Sequence, residues 1–146
     1  MRASLLYLLD TNVVSEWVKP HPNPNVVRWL ADADEDRISL SIITIAELHF
    51  GVEILAPGNR RDALSEWVRN ELPERFEGRI LGIDMAVAAS WGMLMERSRR
   101  TGINLHPIDG FLAATAYSMS LKLVTRNTAH FAKLGIELEN PWQERR

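Results

Sequence analysis

The chain has 146 residues, 46% hydrophobic and 25% charged, with a formal net charge of −2. That is the size and composition of one globular domain with a real core, and the near-neutral balance excludes a protein that coats nucleic acid by bulk charge. The absence of cysteine excludes disulfides, thiolate catalysis and Cys-ligated zinc, and it suits a reducing compartment.

The apolar run Ala3–Leu9 is too short to span a membrane, and it closes on Asp10 without a small-residue cleavage pattern. A cytoplasmic protein with no membrane partner is therefore expected. Leu5–Leu9 lacks polar alternation, as does a strand covered on both faces by helices. Val13–Val18 reads as a short helix stopped by the Pro-rich segment 19–24, and Pro24 opens another with Val26, Val27 and Leu30 on one side. Ile38–Leu40 reads as the second strand, and Ile45–Leu55 as a helix ended by Pro57 and Gly58. Arg60 to about Leu72 reads as helical, Arg79–Gly82 as the third strand and Met85–Arg100 as a long helix. After the loop 101–107 come a helix over Ile108–Ser120 and a fourth strand over Leu121–Val124. A short helix over Asn127–Leu134 and an edge strand over Ile136–Leu138 follow, before Pro141. No repeat, low-complexity tract or linker interrupts this order, so residues 1–146 are expected to form a single domain. Short strands alternating with helices predict an α/β fold, with a central, largely parallel sheet of four to five short strands flanked by helices.

In such sheets ligands gather beyond the carboxyl ends of the strands, and three acids stand at such places. Asp10 follows the first strand, Glu47 falls in the first turn of the helix after the second, and Asp109 falls in the first turn of the helix opened by Pro107. Each has an ordinary structural use. Asp10 can cap a helix, Thr44 and Glu47 have the spacing of a capping box, and Asp109 complements a helix dipole. Gathered at one sheet edge, however, like charges repel and raise one another's pKa, which makes sense chiefly around a divalent cation. Oxygen ligands without cysteine favour Mg²⁺ or Mn²⁺ over zinc. Thr125, Arg126 and Asn127 reach the same edge from the fourth strand. Arg126 with Lys122 can hold phosphate there, whereas Arg60, Arg61, Arg97, Arg99 and Arg100 are expected on solvated helix faces. A dehalogenase-type phosphatase needs a second Asp where Asn12 stands, and serine-hydrolase chemistry lacks a G-x-S-x-G elbow.

The blocks DTNVVSE (10–16), AEL (46–48), IDGFLAATA (108–116) and LVTRN (123–127), in that order, resemble a PIN domain. More narrowly they resemble the VapC toxins of the FitB-like branch, which tend to end in NPW as residues 140–142 do. The resemblance runs over nearly the whole chain. It implies a PIN-like fold and a metal-dependent ribonuclease, the toxin of a toxin–antitoxin pair, hydrolysing RNA phosphodiesters with metal-activated water. The implied partners are RNA, a small VapB-like antitoxin and a second copy in a homodimer. The family's three leading acids fall on Asp10, Glu47 and Asp109, the expected catalytic residues and ligands of Mg²⁺ or Mn²⁺. Thr11 and Asn12 match the polar pair after the first acid, Thr125 matches the hydroxyl residue before the fourth corner, and Arg126 is a candidate RNA phosphate contact. That fourth corner departs from the pattern, because neither Asn127 nor His130 is acidic. An alternative stays open: a catalytically weakened PIN-fold module that binds antitoxin or RNA without cleaving. The antitoxin is expected to lie on apolar helix surface near Trp17 and Trp67.

Overall fold

The computed structural model describes residues 4–143; residues 1–3 and 144–146, which the single-domain reading includes, lie outside the described part. Strands β1 (Tyr7–Leu9), β2 (Ile38–Ser41), β3 (Ile80–Leu81), β4 (Lys122–Val124) and β5 (Leu138–Glu139) form one parallel sheet in the order β3-β2-β1-β4-β5. The central strand β1 pairs with β2 on one side and β4 on the other. Strand order therefore reverses beside β1, and at such a switch point an open α/β sheet leaves a crevice beyond its strand ends.

The missing alternation in β1 and β4 has a direct cause. Leu8 and Leu123 enter a core with Leu94, Leu112 and Phe131, while their chain neighbours Leu9 and Val124 enter a second core with Val13, Val26, Leu40 and Phe76. Successive side chains of a strand point to opposite faces, so both faces here need apolar residues. Leu8 and Leu9 are fully buried, and truncating either to Ala should cost about 2–5 kcal/mol.

The helices are α1 (Thr11–Val14, continued by a 3-10 turn over Ser15–Val18), α2 (Pro24–Asp32), α3 (Ile42–Glu53) and α4 (Asn59–Glu66). They are followed by α5 (Leu72–Arg75), α6 (Met85–Arg100), α7 (Pro107–Met119) and α8 (Thr128–Phe131). Helix α3 corrects the expectation at its start. It begins at Ile42 rather than Ile45, directly from β2, with Ser41 as N-cap accepting from the Ile43 N–H at 3.0 Å. Thr44 and Glu47 are therefore no capping box, and Glu47 stands in the second turn. A helix expected to stop near Leu72 instead passes through a π turn over Trp67–Glu71 into α5. Pro73 has no N–H to donate inside this continuous run, and the Leu72 N–H before it bonds five residues back, to Trp67 O. Helix α8 is shorter than expected because Ala132 turns to extended backbone, and β5 is set later, at Leu138.

Trp17 and Trp67 are half-buried against the second core, and the Arg75 guanidinium lies 4.3 Å over the Trp17 ring. They are thus already covered in large part. Apolar surface is open instead along α3, where Ile42, Phe50 and Ile54 are exposed. Among the described residues no helix is long and apolar enough to cross a membrane.

Candidate active site

Asp10 directly follows β1, and its N–H donates to Val124 O at 2.9 Å, which continues the pairing with β4 by one step. Its side chain is 5% exposed. Three donors hold the carboxylate: the Thr11 N–H at 2.6 Å on Oδ1, the Thr125 hydroxyl at 2.8 Å on Oδ2, and the Asn12 amide at 3.4 Å on Oδ2. The helix-capping use foreseen for Asp10 is real, and the same carboxylate also turns toward β4. These bonds fall short of the cost of burying a charge. Burial first, then the nearby charges of Asp109 and Glu47, push the Asp10 carboxyl up to about 6 against the pull of its donors.

Glu47 is brought to Asp10 through α1. The Thr11 hydroxyl donates to Glu47 Oε1 at 2.7 Å and lies 3.2 Å from the buried Thr44 hydroxyl. Thr11 thus binds Asp10 through its backbone and Glu47 through its side chain, fixing one acid against the other. Only a branched hydroxyl residue supplies both that bond and a methyl for packing.

Asp109 is placed by the entry into α7. His106 is the N-cap, its Nδ1 accepting from the Ile108 N–H at 3.2 Å, and Pro107 opens the first turn. Trp91 from α6 donates its indole N–H to Pro107 O at 3.0 Å and stacks on Phe111 at 5.2 Å between centroids. Gly110 leaves the space this needs, since a Cβ there would lie 2.9 Å from Trp91 Nε1 and 2.5 Å from Met95 Sδ. Half-buried Asp109 is raised in pKa by burial, opposed by the charges of His106 and then His130. The His-Pro pair alone does not reveal this capping role of His106.

The fourth corner is more open. Thr125 Oγ1 accepts from the Asn127 N–H at 3.1 Å while donating to Asp10, so the loop after β4 is tied to the acid. The side chains of Asn127 and His130 are exposed, and His130 lies near enough to act on Asp109. Arg126 is also exposed, its N–H 3.4 Å from Asn12 Oδ1. Of the other basic clusters, Arg61 pairs with Glu53, and Arg99 and Arg100 with Glu96, as helix-face charges; Arg97 departs from the solvated face expected of it, being half-buried and donating to Leu134 O at 2.7 Å.

Among the described residues no three Asp, Glu or His side chains already form a chelating group; Asp109 and Glu47 act on Asp10 by charge across the edge. The donor set itself is that of a hard divalent cation: all-oxygen, acidic, and with one buried carboxylate whose charge no cationic side chain offsets. A separate cavity of about 690 Å³ lies at the opposite, amino end of β1, lined by Tyr7, Arg28, Trp29, Arg37 and others. It is remote from the acids.

A parallel sheet with acids at its carboxyl edge is the arrangement that the resemblance to a PIN domain led one to expect. Residues 7–137 match the PIN domain family, and the chain belongs to it. Within that family it is 38% identical over 139 residues to "Toxin FitB" of Neisseria gonorrhoeae, covering 95% of this chain and all of that one. It is 33% identical over 138 residues to "VapC ribonuclease Y4jK" of Sinorhizobium fredii, covering 94% of this chain and 99% of the relative. Its fold superposes on the crystal structure of FitAcB from Neisseria gonorrhoeae with a TM-score of 0.90 at 38% identity, over 95% of this chain and 100% of that one.

Proposed function

We propose that this chain is a cytoplasmic endoribonuclease, the toxin of a VapBC-like toxin–antitoxin pair, and that Asp10, Glu47 and Asp109 hold Mg²⁺ or Mn²⁺ at its active site. The observation that carries the reading is the Asp10 carboxylate, buried at a strand end beside two further acids and raised to about 6. Such a charge is a cost in the metal-free protein and an advantage once a cation offsets it. The likeness to a named toxin and a named VapC ribonuclease supports the substrate and the biological role.

When bound, the cation supplies a water acidic enough to attack at neutral pH and offsets charge on the phosphate. The protein's own part is placement. Thr125 and Thr11 fix the direction of Asp10, Thr11 fixes Glu47, and the α7 entry fixes the backbone of Asp109, so two carboxylates are oriented and the third is placed on a packed helix before substrate arrives. Asn127 and His130 border the edge where an acid is absent; Asn127 can orient water through its amide. Attack by water leaves a 5′-phosphate and a 3′-hydroxyl. The antitoxin, a small VapB-like protein, covers exposed apolar surface such as that of α3, and the assembly includes a homodimer.

Purified protein should cleave single-stranded RNA with Mg²⁺ or Mn²⁺, lose that activity in EDTA, and lose it on Asp109→Asn. Cleavage that persists in EDTA, or ends that carry a 2′,3′-cyclic phosphate, would overturn the assignment. RNA binding without cleavage in the wild type would instead establish the non-cleaving module.

A further inference from the structure

We infer that the Asn140-Pro141-Trp142 turn is a brace for Arg126, holding its guanidinium on the Trp142 indole so that its edge binds a backbone phosphate of the RNA beside the acids. The inference rests on the ribonuclease reading above for its substrate and adds Trp142 as a positioning residue.

The geometry is built from four contacts. The guanidinium of Arg126 lies 5.4 Å over the Trp142 ring, within the range of a cation–π contact. The Trp142 N–H donates to Asn140 Oδ1 at 2.9 Å, and the Trp142 carbonyl accepts from Asn25 on α2 at 2.9 Å. The Asn140 amide lies 3.4 Å from the Arg126 carbonyl. Pro141 is buried, and the Trp142 ring packs against the second core. The turn therefore joins α2, the end of β5 and the loop after β4, with the aromatic ring fixed before any ligand arrives.

Arg126 itself is exposed and, among the described residues, has no carboxylate partner. A guanidinium held over a ring still has N–H groups turned away from it, and that planar fork matches two phosphate oxygens. Its backbone is fixed at the acidic edge as well. Thr125 before it donates to Asp10, and its own N–H reaches Asn12, whose amide reaches the same Asp10 oxygen. An unpaired cation on the residue next to Thr125, which itself binds the buried Asp10, suits a polyanion that must approach that acid. Without it the three acids repel the RNA backbone. The ring of Trp142 thus packs on the second core while also carrying Arg126.

The test compares Arg126→Gln, Trp142→Phe, Trp142→Leu and the double variant Arg126→Gln/Trp142→Leu, each in an Asp109→Asn background so that RNA stays intact. Binding of a short fluorescent single-stranded RNA is read by anisotropy across a salt series. Arg126→Gln should weaken binding roughly tenfold and flatten the salt dependence by about 0.7 in log–log slope, the share of one phosphate on a single strand. Trp142→Leu keeps apolar packing but has no π face, and should weaken binding several-fold; Trp142→Phe should restore it. The double variant should bind no worse than Arg126→Gln alone, because the ring acts only through the arginine. Unchanged salt slope in Arg126→Gln overturns the inference and points to an acidic protein partner instead. Multiplicative losses in the double variant overturn the bracing role of Trp142. Cleavage by the otherwise wild-type chain is scored separately, so its absence would refute the ribonuclease while leaving this binding comparison decisive.

Discussion

Replacing Asp10 by Asn should stabilise the metal-free protein at neutral pH, although it removes the acid at the centre of the site. The folded-state pKa of Asp10 is about 6 against an ordinary value of 3.8, so the folded protein prefers the neutral form. The shift corresponds to a destabilisation of about 3 kcal/mol when the group is ionised. That penalty is fully present above about pH 6, and it disappears as pH falls toward 3.8, because the folded state binds the proton more tightly than the unfolded chain. Asn keeps an acceptor for the Thr11 N–H but must place its amide toward Thr125, whose hydroxyl now donates to Oδ2. Reversing that bond returns about 1 kcal/mol, leaving a net gain of about 2 kcal/mol and a Tm rise of about 4–8 °C for a chain of this length. Thermal unfolding followed by circular dichroism in EDTA, at about pH 7.5 and about pH 4.5, measures it. The Tm of Asp10→Asn should exceed wild type at the higher pH, and the two should converge at the lower. Added Mg²⁺ should raise the wild-type Tm by mass action and leave Asp10→Asn nearly unmoved. Equal Tm values at neutral pH, or a gap that persists in acid, would show that Asp10 is not held as a strained anion.

Three further outcomes follow from neighbouring contacts. Thr11→Val removes the hydroxyl that fixes Glu47; it should cost about 1 kcal/mol in stability and at least tenfold in RNA cleavage, with Thr11→Ser recovering most of both. Gly110→Ala puts a methyl against Trp91 Nε1, and overpacking there should lower stability by about 1–3 kcal/mol and shift Asp109, which thermal unfolding and initial cleavage rates will register. Asn127→Asp supplies the acid that the fourth corner lacks, so half-maximal cleavage should need less Mg²⁺ than in wild type; an identical metal titration would show that this corner takes no part in cation binding.

What was legible in the sequence is what local pattern dictates. A strand with both faces buried must be apolar throughout, so β1 showed itself, and an acid ending such a run had to be exceptional. Pro107 and the Ala-rich stretch behind it announced α7 and with it Asp109. Glu47 was placed on the right helix but in the wrong turn. Ile38–Glu53 passes from strand to helix without a break, and its β-branched residues gave no sign of where one stopped. Thr44 with Glu47 had the spacing of a helix start, yet Ser41 won because its side chain could reach the Ile43 N–H as soon as the sheet ended. The bonds that tie the site together were harder to foresee than the residues that make them, since the partners are remote in the chain. Thr11 meets Glu47 across 36 positions, Thr125 meets Asp10 across 115, and Asn25 meets Trp142 across 117. A parallel sheet imposes such distances, because each return to the same edge needs a crossover. Acids can therefore be recognised from their own strand or helix ends, and Thr11 and Thr125 from the motifs around them, whereas the partners of those hydroxyls and of Trp142 become visible only when β1, β4 and the turn after β5 stand side by side.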